Sequence, residues 1–184
     1  MISLDPTLKK QHDGIQKTLS ELSRHWKEHN ITHCSFALSK LSFLLSEHHE
    51  HEFALLFSKV WDNPRLKEGG PFCTYFYNFL MLDRPFQRVI RLINQVRTPE
   101  NQMKDCEVPE SLKLLFEQKS MVTIPLEEHL AVKSLVREMI GVTRNWDNKY
   151  STWYATALDE LKDLIEKNIQ KEETCFWELA KRIA

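Results

Sequence analysis

Apolar residues recur every three or four positions along four long segments, and that spacing restricts the chain to helices. In the first segment, from about Asp5 to His29, the stripe is Leu8, Ile15, Leu19, Leu22 and Trp26. In the second, from about Cys34 to Trp61, it is Leu41, Leu44, Leu45, Leu55 and Leu56. The third runs from Pro125 to about Gly141, a glycine where a helix C-terminus is expected. The fourth runs from about Trp146 to Ile183 and carries Leu158, Leu161, Ile165, Phe176 and Leu179. Turn formers are scarce: there are 4 glycines and 7 prolines in 184 residues, against roughly 22 from average usage. A many-stranded sandwich or barrel is thereby disfavoured. The expected fold is all-α, an antiparallel four-helix bundle, in a single domain spanning residues 1–184.

Between the second and third long helices lies a helical insertion, about residues 62–124. Asp62-Asn63-Pro64 ends the second helix, and Gly69-Gly70-Pro71 opens the insertion. An aromatic segment, Phe72 to Leu82, is expected to pack on one side or end of the bundle. Asp83 is placed to cap a helix that has Pro85 in its first turn and runs to about Val96. Pro99 and Pro109 bracket a loop, and Ser111–Lys119 reads as one more short helix. Strand patterning is confined to Met121–Ile124.

Charge and targeting narrow the function classes. The 25 Lys and Arg against 26 Asp and Glu give a net charge of −1, with no basic block. That offers no electrostatic footprint for nucleic acid. No stretch approaches the ~20 apolar residues that span a bilayer, and Met1–Leu8 carries no apolar run of an export signal. Cys34, Cys73, Cys106 and Cys175 are far apart, with no Cys-x-x-Cys pair, and are expected as reduced thiols in a cytoplasmic protein.

The informative residues are the polar ones that interrupt the apolar stripes. Counting along the first helix lands on His12, with His29 and His33 beyond it. On the second helix the count lands on His48 and Glu52. The third gives His129 with Glu128 beside it, and the fourth gives Asn168 and Glu172. Unpaired burial of these groups would be costly. Coordination of a metal satisfies them together, and imidazole plus carboxylate suits iron, zinc or manganese. His48 and Glu52 are four apart, on one face and one turn from each other. Asn168 and Glu172 repeat the step with an amide in place of imidazole. Gln11, Ser46 and the tyrosines are candidate partners for the imidazoles. His25, His49 and His51 are expected at solvent or the bundle edge.

These residues resemble the hemerythrin-like family, the HHE cation-binding domain. The similarity lies in Lys10-Gln11-His12, in Ser46 to Phe57 with its His48-x-x-x-Glu52, in Pro125-Leu126-Glu127-Glu128-His129, and in Asn168 to Trp177. It spans the chain apart from the insertion. The resemblance implies two irons with an oxo or hydroxo bridge inside the bundle, binding or sensing oxygen or nitric oxide, or handling iron. It implies His12, His48 and His129 as terminal ligands, with Glu52 and Glu172 bridging. His33, Glu128 and Asn168 are the further candidate ligands. Two positions depart from the family pattern: its last-helix histidine is Asn168 here, and the second third-helix histidine of oxygen carriers is Lys133. Reversible oxygen carriage is weakened more than metal binding, and a single metal or another divalent metal is an alternative. A non-catalytic metal-binding protein is the favoured expectation. The alternatives are a metal-free helical interaction protein that has lost the site, and a di-iron enzyme reacting with oxygen or peroxide.

Overall fold

The computed structural model describes residues 5–54, 85–103 and 123–173, and every regular element among them is helical. The helices are α1 (Pro6–Lys27), α2 (Ile31–Glu52), α3 (Pro85–Asn94), α4 (Thr123–Arg144) and α5 (Ser151–Lys171). Short 3-10 turns cover Pro99–Asn101 and Asn148–Tyr150. The aromatic segment, the short helix expected at Ser111–Lys119 and the ends of the second and fourth long helices lie outside the described residues.

Local chemistry sets the boundaries. Asp5 caps α1 by accepting the Thr7 N–H at 2.8 Å, with Pro6 in the first turn where its missing N–H costs nothing. The break between α1 and α2 is the three residues 28–30. His29 takes a left-handed conformation, φ 54°, and Asn30 accepts the His33 N–H to start α2 at Ile31. Two expectations are corrected. Gly141 does not end α4, which continues to Arg144, because the apolar stripe runs on through buried Val142. Nor are Thr123 and Ile124 extended: they form the first turn of α4.

One hydrophobic cluster draws on all five helices. Leu22, Leu38, Leu41, Leu135, Met139 and Leu161 are its fully buried centre. Of the counted stripes, Leu8, Ile15, Leu19 and Leu22 on α1, Leu41 and Leu45 on α2, and Leu158, Leu161 and Ile165 on α5 are buried, while Trp26 and Leu44 are partly so. In this core α1 packs on α2, α2 on α4, α4 on α5, and α5 on α1. Helix α3 lies against α4 and α5. There the Trp153 indole N–H donates to the Leu92 carbonyl at 2.7 Å, and Arg97 donates twice to one Glu138 oxygen at 2.9 and 2.6 Å. Asn94 closes the following loop by exchanging two hydrogen bonds with the Met103 backbone. Among the described residues no helix is long and apolar enough to cross a membrane.

Truncating the centre should be expensive, because close-packed cores refill poorly. Leu161→Ala is expected to cost about 2–5 kcal/mol. Urea unfolding followed by circular dichroism measures this, with the exposed Lys17→Ala expected within about 0.5 kcal/mol of the parent.

Candidate metal centre

Four helices each deliver a polar side chain to one buried point. His12 comes from α1, His48 and Glu52 from α2, and His129 from α4. Glu172 is the residue just past α5. All five are buried, with His12 at 0% and Glu52 at 1% exposure. At residues 53–54 and 172–173 the backbone widens into π turns, each directly after or at a glutamate of the cluster. Such turns recur at functional sites.

Glu172 sits at the centre of the arrangement. Its Oε2 lies 2.9 Å from His12 Nε2 and 3.2 Å from His48 Nε2, while its Oε1 faces His129 Nε2 at 3.8 Å. Glu52 Oε2 lies 3.1 Å from His129 Nε2 and 4.0 Å from His48 Nε2. The donors form two overlapping triads, His12/His48/Glu172 and Glu52/His129/Glu172, in each of which the ligand atoms lie within 4.8 Å of one another. Both Glu52 oxygens, Glu172 Oε1 and both His48 nitrogens have no hydrogen-bond partner among the described residues. Buried polar atoms are normally satisfied. A cation between these atoms satisfies them at once, so the donor set fits a metal, or two sharing Glu172.

The electrostatics push the two carboxyls apart. Burial works to raise Glu172, but the imidazoles of His12, His129 and His48 outweigh it and hold this carboxyl well below the ordinary range. Burial and then the adjacent Glu172 charge push Glu52 up. Burial disfavours the charged forms of His12 and His129. The carboxylates facing them prevail, raising His12 through Glu172 and Glu173, and His129 to about 9 through Glu52 and Glu172.

The further candidates divide. Asn168 and Glu128 are buried beside the second triad. Asn168 Nδ2–H donates to Glu128 Oε2 at 3.2 Å, and Lys171 ion-pairs with Glu128 Oε1. Their polar groups therefore engage one another. His33 is corrected: it is exposed near the start of α2, about 28 Å along the axis from Glu52, bonded to Asn30 and 5.0 Å from the His25 ring. Its position at the far end of the helix removes it from the cluster. His29 is spent on the α1–α2 turn.

Two further side chains, His49 and Glu173, adjoin the cluster. His49, expected at the edge, is buried and stacks on His129, with ring centroids 3.5 Å apart. Burial, with His129 and His48 nearby, pushes its pKa far down, so it stays neutral. Counting in fours from Leu41 and Leu45 reaches His49, and a core-facing stripe is wide enough to include it. Glu173, which no stripe count singles out, is exposed, yet its Oε1 accepts the His12 Nδ1–H at 2.9 Å while His12 Nε2 faces the cluster. Such a carboxylate fixes the tautomer of a ligating histidine. Gln11, expected in that role, bonds His51 instead.

No family model matches this chain, and no curated protein or solved structure matches it either.

A carboxyl forced up by burial and a like charge destabilises the metal-free fold once ionised. The contribution of Glu52 is complete below the ordinary carboxylate range and is lost as pH rises through its raised value. That of Glu172 runs oppositely, being lost as pH falls through its depressed value. In chelator, Glu52→Gln is therefore expected to make the stability less dependent on pH above the ordinary carboxylate range than in the parent. Thermal unfolding checks it, and the variant is expected to lose the parent's decline as pH rises.

Proposed function

We propose that this chain is a metal-binding protein, hemerythrin-like in kind, whose four long helices form an antiparallel bundle around a non-haem di-iron centre. The observation that carries the reading is the division of Glu172, one oxygen toward His12 and His48 and the other toward His129. A carboxylate with its two oxygens offered to separate imidazole groups is arranged to bridge two metals, as in di-iron bundle proteins. The antiparallel arrangement draws support from α1 and α2, where Glu21 meets Lys40 and Gln11 meets His51. Advancing along one helix goes with retreating along the other.

His12, His48 and Glu172 would hold one metal, and Glu52, His129 and Glu172 the other. Bound iron would supply one-electron redox chemistry and open positions for a small diatomic, oxygen or nitric oxide. The chain's own residues orient and enclose that site. Glu173 holds the His12 ring with Nε2 inward, and His49 braces the face of His129. Leu45, Val132 and Ile169, about one turn away on the same helices, are buried and keep the surroundings apolar. A second reading, an enzyme that reacts with oxygen or peroxide, is favoured by Glu128, which adds a buried carboxylate where the donor set is short of imidazole. That reading rests on analogy with carboxylate-rich sites.

Anaerobic reconstitution with ferrous iron followed by metal analysis tests the proposal. Two irons per chain are expected, with one in His12→Ala and near none in Glu172→Ala. Near-zero iron in the parent protein would overturn it. Bound metal should also raise the unfolding temperature, since only the folded chain assembles the ligands. Spectra recorded on adding oxygen or nitric oxide separate the two readings: a reversible change fits a carrier or sensor, and consumption of added reductant fits the enzyme.

A further inference from the structure

Outside the buried cluster, a groove of about 790 Å³ runs between α2 and α4, within the size range of small-molecule sites. Its α4 wall carries Lys133, Arg137 and Arg144. Steps of four and seven residues keep the three on one helix face, with Lys133 and Arg137 about 6 Å apart along the axis and Arg144 about 10 Å further. All three are exposed, and none has a carboxylate partner among the described residues. Several other cations are paired with acids: Lys40 with Glu21, Arg88 with Glu160, Arg97 with Glu138 and Lys167 with Asp163. Three positive charges with no carboxylate among the lining residues thus meet at one concavity.

The rest of the groove adds hydroxyl donors and an apolar floor. Ser42 and Ser46 face it from α2, and Ser134 from α4. These hydroxyls make no hydrogen bond to other described residues. Ser20, Ser23 and Ser39, by contrast, fold back onto their own helix carbonyls. Phe86 and Ile140 supply apolar surface, and Gly141 leaves room, since a Cβ built there meets nothing within 4 Å.

We infer that this groove binds a phosphate monoester carried on an apolar body. Lys133 and Arg137, one turn apart, suit a single phosphate. Guanidinium can fork onto two of its oxygens, and serine hydroxyls reach the third. The apolar body then lies over Phe86 and Ile140, with Arg144 closing the far end. A concave site of this size favours a small molecule over a flat macromolecular surface. The groove begins one helical turn beyond His129, yet the inference does not depend on a bound metal.

Calorimetric titration of the chelator-treated full chain with phenyl phosphate tests it. Saturable one-site binding is expected, about tenfold weaker in Arg137→Gln and in Lys133→Gln, which remove one charge-assisted contact each. Lys17→Gln, an equal charge change on α1, should leave the affinity unchanged, and benzoate should bind more weakly than phenyl phosphate. The inference is overturned by absence of saturable binding, or by an equal loss in Lys17→Gln, which signals diffuse charge. It is equally overturned if benzoate binds as tightly, or if binding appears only after iron is restored, which would move the ligand to the metal centre. The exposed positions of the three substituted residues keep folding out of the comparison.

Discussion

Two carboxylates held in an apolar interior beside three imidazoles are the constraint on which this end of the protein depends. Removing a carboxylate from water costs several kcal/mol even after relaxation. That cost is offset at Glu172 by the imidazoles ranged around it, and much less so at Glu52, whose oxygens lack hydrogen bonds among the described residues. An arrangement evolved only for stability would replace Glu52 with an apolar residue. A buried carboxylate with unsatisfied oxygens at this point agrees with the proposed metal centre, in the usual trade between stability and activity.

The helical framework makes such a cluster geometrically possible. Each long helix contributes one stripe to a common core, and the polar ligands are continuations of those stripes toward one end. Helix α3 braces the far end of the same core. Trp153 and Glu138 tie it to α5 and α4, leaving the ligand-bearing end free of those ties. Rigid helices hold side chains more accurately than loops do. The interlocking hydrogen bonds of His12 between Glu172 and Glu173 show that accuracy at a single ring.

Much of this was legible from periodicity alone. The count through Leu8, His12, Ile15, Leu19 and Leu22 names buried residues, because a helix that packs on one side repeats faithfully at 3.6. The same count brought His48, Glu52, His129 and Glu172 to one place. Periodicity failed where a decision depended on width or on partners in space. His49 lies at the edge of the stripe that runs through Leu41 and Leu45, and the stacking surface of His129 completes its burial. Glu173 has the accessible look of any charged helix residue until His12, 161 positions away, presents a ring nitrogen to it. His33 misled because the count extended through the α1–α2 turn, where the left-handed His29 resets the helical phase. Gly141 misled because a helix-ending glycine and a helix-interior one are identical in sequence.

The closest contact of the cluster, between His12 and Glu172, joins residues 160 positions apart. A chain emerging from the ribosome therefore presents His12, then His48 and Glu52, then His129, each a weak metal ligand on its own. The shared carboxylate arrives last. Contacts of such long sequence separation form late, after the entropic cost of closing the chain has been met. At the proposed centre this makes binding a checkpoint on completed folding: a partly made or partly folded chain would have no site in which to trap a metal ion, and a bound metal would report that α1 and the end of α5 have met.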